Sequence, residues 1–274
     1  MRVSLEAIHA QLTSGVEQLV SSEEWAAMLR VAARFHNYSA NNQLLIYGQR
    51  PDATRVTGYR AWQRLGRQVR KGEKGIAILA PCVYRTKLDD TDGEQRELKR
   101  LAGFRVAYVF DIAQTDGEPV EDLDAIRPQL LEGEAPQGMW DALVAIAEQA
   151  GFEVVRHRRR NENGYCDLTR KLIAVRPNVT AAQAVKTLVH ELAHALLHDD
   201  GVARSRELAE VEVESVAYIV CSALALDTGD YSFAYVARWS GGVAELVRDT
   251  AERVIGCAQQ ILNRLEIEPS SEVG

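Results

Sequence analysis

The stretch Leu188-Val-His-Glu-Leu-Ala-His-Ala-Leu-Leu-His198 holds two histidines four residues apart, with an acid beside the first. On a helix, residues at i and i+4 stand one above the other on a single face. His190 and His194 therefore offer two imidazoles to one metal ion, and Glu191 lies within reach of a water beside that ion. This is the H-E-x-x-H pattern, whose chemistry is metal-assisted hydrolysis. The flanking residues are nearly all apolar. A core helix has no packing reason to carry two titratable rings and a carboxylate.

Two histidines do not complete such a site, because zinc takes three protein ligands and keeps a fourth position open. The third is expected on the next helix, where Glu207, Glu210, Glu212 and Glu214 lie within 206–218. Glu207, Glu210 and Glu214 share a face by their spacing, and Glu212 points elsewhere. Val211, Val213, Val216, Ala217, Ile219 and Val220 make much of that helix apolar, so its acids need partners. Glu210 is the expected ligand and Glu214 the expected acceptor of a ring N–H from a ligand histidine. The spacing alone also permits the reverse. Zn2+ is the expected cofactor and Glu191 the expected general base. His198 is read as a favourable closing residue at the helix C-terminus, with no catalytic role.

The elements that must carry these residues follow from periodicity and punctuation. Thr180 is the expected cap of a helix running to His198, and further helices are expected over 205–226 and 242–265. Upstream, a helix over 139–150 ends at Gly151, and strands are expected at 152–157, 165–167 and 172–175, with a turn at 161–164. In the first half, apolar spacing predicts two helices within 4–34, the second capped by Ser21 or Ser22. Another begins near 37–39 and stops at Gly48 and Pro51, and a short piece over 59–65 stops at Gly66. A strand over 76–84 is expected to break at Pro81, 86–100 to form a charged loop around Asp92-Gly93, and 104–110 to return as a strand. Glycines, prolines and acids between 116 and 137 read as a linker, and 269–274 as a frayed tail. The fold class is α+β in two domains, 1–118 and 138–268, joined by 119–137.

The net charge of −7 hides an asymmetry: residues 1–115 hold 17 Lys and Arg against 12 Asp and Glu. Within 50–74, eight basic residues face only Asp52 and Glu73, which suits an anionic partner. No recognition helix or zinc finger for duplex DNA is evident, whereas Tyr47, Tyr59 and Trp62 interleave with the basic run in the manner of single-strand binders. No apolar run reaches the length of a membrane span, and the N-terminus lacks the apolar block of a signal peptide. Cys82, Cys166, Cys221 and Cys257 form no C-x-x-C pair and read as free thiols in a reducing compartment, so the expected location is cytoplasmic.

With both halves in view, the sequence resembles the ArdC-type antirestriction proteins. The resemblance rests on Asn37-Tyr38-Ser39 with Asn41-Asn42-Gln43-Leu44-Leu45, on Trp62 before Leu65-Gly66-Arg67, and on Val69-Arg-Lys-Gly-Glu-Lys-Gly75. It continues in Phe110-Asp111 and Gln114-Thr115, then in His190-Glu-Leu-Ala-His194 and the Glu210, Glu214 pair, which is similar to ImmA/IrrE peptidases. The resemblance implies a single-stranded-DNA-binding domain followed by a minimal zincin-like metallopeptidase domain. It favours Glu210 over Glu214 as the metal ligand. Tyr38, Asn42, Tyr59, Trp62, Arg67, Arg70, Lys71 and Lys74 are then the expected DNA-binding residues. Two functions fit: a DNA-tethered zinc peptidase with an unknown protein substrate, or a non-enzymatic protein that shields incoming single strands and keeps zinc for structure.

Overall fold

The structure, a computed structural model, describes residues 4–17, 19, 21–89, 95–119, 135–136, 138–157, 163–224, 226, 240 and 243–267. The tip of the expected charged loop, nearly all of the expected linker, the start of the expected turn at 161–164 and the expected tail lie outside the described residues. The chain divides by contact into two compact units. One comprises Met1–Gly15 and Leu44–Pro119, and the other Val16–Gln43 and Val120–Gly274.

The first unit contains α1 (Leu5–Glu17, to Gly15), the later part of α3 (Ala40–Gln49), and α4 (Tyr59–Arg64). Its main sheet has the order β1 (Val56–Gly58), β4 (Gln95–Asp111), β3 (Ile76–Asp89), with β4 antiparallel to both neighbours. A two-stranded ladder pairs β2 (Arg67–Val69) with β5 (Thr115–Gly117). Two expectations are corrected here. Pro81 does not break β3. It stands in register with Phe104 on an outer strand of the sheet, where a residue without an N–H is tolerated, and the register shifts only between Cys82 and Val83. The charged stretch is also mostly ladder, since β3 runs to Asp89 and β4 starts at Gln95. Backbone pairing satisfies itself whatever the polarity of the side chains, which a hydrophobicity reading does not register.

The second unit has a three-stranded sheet of order β6 (Glu153–Arg156), β8 (Leu172–Val175), β7 (Gly164–Asp167), with β6 parallel and β7 antiparallel to β8. Helix α6 (Ala181–His198) packs on β7 and β8, and α5 (Met139–Gln149) and α7 (Arg206–Ala223) pack on α6. The last helix, α8 (Ala244–Ile267), contacts α5, α6 and α7. Phe152, Ile173, Leu188, Val189, Leu192, Val213 and Val216 form its fully buried centre. Caps set the helix starts: Thr180 Oγ1 accepts from Gln183 N at 3.3 Å, and Ser205 Oγ from Leu208 N at 3.2 Å.

Helix α2 (Ser22–Arg34) belongs to this second unit, although it precedes the basic run in sequence. Ser21 and Glu24 close a reciprocal capping box at 2.9 and 3.1 Å. The apolar stripe that follows is buried, and Trp25, fully enclosed, donates its Nε1–H to Ser215 Oγ on α7 at 2.9 Å. A division along the chain at 118 therefore differs from the division by contact. An amphipathic helix is assigned by the surface that covers it, not by its place in the sequence.

Candidate functional site

Helix α6 brings His190, Glu191 and His194 together, and His190 and Glu191 line a cleft of about 300 Å³ with Gly164, Lys186, Thr187 and Glu214. One donor atom from each of His190, Glu191 and His194 lies within 4.8 Å of the others. The two rings stand 5.2 Å apart between centroids, as one helical turn requires. Burial, reinforced by the neighbouring rings of His190 and His194's other neighbour His198, pushes His194 down to about 3, so at neutral pH it is uncharged and has a lone pair to donate. Glu191 is itself buried, 7% exposed. The backbone of β7 passes so close that a Cβ on Gly164 would lie 3.0 Å from Glu191 Oε1 and 2.5 Å from Thr187 Cγ2.

Helix α7 adds carboxylates from two sides. Glu210 Oε2 lies 3.7 Å from His190 Nε2, and Glu214 Oε1 lies 3.5 Å from His190 Nδ1. One acid thus stands by each ring nitrogen. Glu212 does point elsewhere: its carboxylate accepts from His198 Nε2 at 2.9 Å and from Arg253 Nε at 2.8 Å. Burial raises the Glu212 carboxyl, yet the hydrogen bonds and charges of His198 and Arg253 outweigh it and hold the group below its ordinary range. His198 also meets His194, Nδ1 to Nδ1, at 3.0 Å. It does more than close the helix, and its i+4 spacing from His194 was the signal for this. Arg253, on the last helix, had no such signal. Two imidazoles with nearby carboxylates are a donor set that suits a borderline divalent cation such as zinc.

The expected DNA-binding residues separate on inspection. Trp62 is fully buried and donates Nε1–H to Phe110 O at 2.8 Å, so it is core and presents no face to a base. Asn42 is 7% exposed. Arg67 is spent on Thr115 and Gly117, at 2.7 Å to Thr115 Oγ1 and 3.1 Å to Gly117 O, and on Glu118 O. Arg70 is paired with Glu73 at 2.8 Å and Asp116 at 3.3 Å, which raises its pKa and neutralises much of its field. Tyr38 and Asn42 fall in the second unit and the other six in the first. Lys71, Lys74 and Tyr59 are exposed.

What sequence reading missed is an aromatic row. Phe104, Val106, Tyr108 and Phe110 alternate along β4, and Phe104 and Tyr108 are 52% and 38% exposed. Alternation was legible, but not which face would be left open. Tyr59 meets Phe110 edge to face, with centroids 6.3 Å apart. The 71–75 loop lies against this row, because a Cβ on Gly75 would stand 3.0 Å from Phe110 Cζ and from Tyr108 Cβ. Gln114 shapes the loop by donating to Lys74 O and Glu73, and Asp111 holds the backbone N–H groups of Thr54 and Arg55 at 2.7 and 2.9 Å. Clefts of about 980 and 720 Å³ flank the loop, one lined by Arg50, Lys74 and Tyr108, the other by Tyr59, Lys71 and Phe110.

Comparison with known proteins agrees with this organisation. Residues 4–110 match the model of the N-terminal domain of the anti-restriction factor ArdC, and residues 147–246 match that of the IrrE N-terminal-like domain, a peptidase family. An uncharacterised protein of Bacillus anthracis is 26% identical over 96% of this chain and 52% of its own length, so the chain spans about half of that curated relative. Two crystal structures of the antirestriction protein ArdC from plasmid R388, metal-free and Mn(II)-bound, superpose with TM-scores of 0.53 and 0.54 at 23% identity. They cover 85% of this chain and 87% and 86% of theirs. No helix among the described residues is long and apolar enough to cross a membrane. In domain order the chain carries an ArdC-type N-terminal domain followed by an IrrE-like domain, and its α+β fold is similar to that of the R388 protein.

Proposed function

We propose that this chain is a DNA-associated metallopeptidase of antirestriction type, whose first unit holds single-stranded DNA and whose second hydrolyses a protein substrate. The observation that carries the reading is the convergence of His190, Glu191 and His194 beside an open cleft. His190, His194 and Glu210 would hold the cation, with Zn2+ the fit to two imidazoles and a carboxylate. A divalent cation bound there would polarise the scissile carbonyl and acidify a water to a pKa of about 7. Glu191 is the proton carrier: it accepts from the attacking water and returns the proton to the leaving amine. Its burial against Thr187 and the Gly164 backbone keeps the carboxylate from swinging away. Glu214, beside the other nitrogen of His190, orients that ring. The Mn(II) ion is a property of the R388 protein; two imidazoles and a carboxylate here would suit zinc or another divalent cation.

Support for DNA in the first unit comes from the ArdC N-terminal match and from the surface around the 71–75 loop. Tyr59, Tyr108 and Phe104 offer flat faces to bases, and Lys71 and Lys74 offer charges to phosphates. These residues take over the role that buried Trp62 and paired Arg67 and Arg70 do not fill. Free thiols at all four cysteines favour the cytoplasm.

Metal analysis of two variants tests the centre: Glu191→Gln should retain stoichiometric zinc and lose hydrolysis, and His194→Ala should lose zinc. Stoichiometric zinc on His194→Ala overturns the ligand set. Glu191→Gln should also fail in an antirestriction transfer assay, whereas full protection by it would make the chain a DNA shield with a metal site kept for structure.

A further inference from the structure

The larger cleft beside the 71–75 loop, about 980 Å³, is lined at the end of α3 by Arg50. The Arg50 backbone N–H donates to Ile46 O at 2.7 Å, so the last helical turn fixes where the side chain starts. Its guanidinium differs from those of Arg67 and Arg70. Those two are held by several acceptors at hydrogen-bond distance, whereas Arg50 Nε makes no hydrogen bond and has Asp52 Oδ1 3.6 Å away. The Asp52 side chain is 77% exposed, so the pair is a loose surface contact of small worth. A cation is favoured at a helix C-terminus, but that role asks nothing of the planar fork.

The acid lining this cleft, Glu73, is already committed. Its Oε1 accepts from Arg70 at 2.8 Å and its Oε2 from Gln114 at 3.0 Å. Those hydrogen bonds, Gln114's first, and the charges of Arg70 and Arg50 hold its carboxyl below the ordinary range. With Glu73 balanced by Arg70, Arg50 and Lys74 leave the cleft a surplus of positive charge. A concave wall concentrates that field more than an open surface does. The exposed ring of Tyr108 lines the same cleft, so two cations and a flat face occur together. Gln49 keeps the wall in place: its amide accepts from Ala77 N and donates to Ala77 O, each at 2.9 Å, tying the end of α3 to β3.

We propose that Arg50 is a phosphate-binding residue of the first unit, gripping one backbone phosphate of a single strand together with Lys74 while the adjoining base lies on Tyr108. The fork matches two phosphate oxygens, and the lysine adds a point charge. An internal phosphate fits better than a strand end, because the cleft across the loop repeats the pattern with Lys71 and Tyr59. A strand crossing the loop then meets a cation and a ring on either side.

This inference rests on the reading of the first unit as a holder of single strands, and the assay separates the two. The full-length protein is titrated into oligothymidylate labelled at its 3′ end, and fluorescence anisotropy is followed over a series of salt concentrations. Arg50→Ala should weaken binding about 10–100-fold and lower the log–log salt slope by about 0.7. Arg50→Lys should keep the slope and recover part of the affinity, since the charge stays and the fork is lost. Arg64 is exposed and lines neither cleft. An equal loss in Arg64→Ala would make the effect one of net charge and overturn the proposal. Melting temperatures separate loss of fold from loss of contact. Asp52→Asn should tighten binding by releasing the guanidinium, and weaker or unchanged binding counts against the proposal. Strands with a 5′-hydroxyl and a 5′-phosphate should bind alike; a 5′-phosphate preference that vanishes in Arg50→Ala makes the cleft an end site and refutes the internal contact. No binding by the parent chain sinks the single-strand reading itself. Binding that Arg50→Ala leaves unchanged in affinity and slope sinks the role of Arg50 and leaves that reading standing.

Discussion

A methyl group added at Gly164 is the sharpest probe of how Glu191 is held. Gly164 pairs with Val175 at the start of β7, and its Cβ would stand 2.5 Å from Thr187 Cγ2, 3.0 Å from Ala174 O and 3.0 Å from Glu191 Oε1. Real carbon contacts do not close to the first distance, so α6 or β7 must shift. Overpacking of this kind costs about 1–3 kcal/mol. Replacing glycine stiffens the unfolded chain and offsets about 0.4–1 kcal/mol of that. Gly164→Ala should therefore destabilise by about 1–2 kcal/mol. Thr187→Ser deletes the clashing Cγ2 and keeps the hydroxyl that accepts from Gln183 at 3.1 Å, at a cost near 1 kcal/mol for one buried methyl. In the double variant the shortest contact is gone, so the two changes should couple favourably by about 1 kcal/mol. Urea melts of the four proteins give the cycle directly. Additivity within about 0.3–0.5 kcal/mol, or a Gly164→Ala protein as stable as the parent, would refute the packing argument. If Glu191 is the proton carrier, Gly164→Ala should also lower turnover while leaving zinc affinity close to the parent value.

Trp25→Phe should cost about 1–3 kcal/mol in the same melts, because it leaves a void and strands the buried Ser215 hydroxyl; no loss would mean that α2 is not seated on α7. Lys71→Ala and Lys74→Ala should each weaken binding to a single-stranded oligonucleotide and lower the log–log salt slope by about 0.7, and Tyr59→Ala should remove about 1–3 kcal/mol, while Trp62→Phe should change stability and not the slope. Unaltered slopes in the lysine variants would remove the loop from the DNA surface. Burial pushes the Cys221 and Cys257 thiols up to about 12, so the folded chain holds their protons longer than the unfolded chain does, and stability should fall as pH rises from about 9 toward 12. Iodoacetamide labelling of the native protein at pH 8 should accordingly spare both, and rapid labelling there would contradict their burial.

The sequence by itself determined the local grammar. Thr180 and the i+4 histidines set one helix and one shared face, and Ser21 or Ser22 ahead of Glu23 and Glu24 marked another helix start, because capping and helical phase act between residues a turn apart. The strand order of the second unit, the home of α2, and the separation of Arg67 and Arg70 from Lys71 and Lys74 were decided only by the tertiary structure. An arginine reads as a free charge in the chain until Asp116 or a carbonyl folded back from Gly117 consumes it, and a tryptophan reads as a stacking face until Phe110 accepts its N–H from inside the core. The same holds for His198, whose role depends on Glu212 and on an arginine brought from Arg253, far along the chain. Short-range physics is written in adjacent residues. Which polar group meets which partner is a property of surfaces that exist only after packing, and that decides which side chains are left to act.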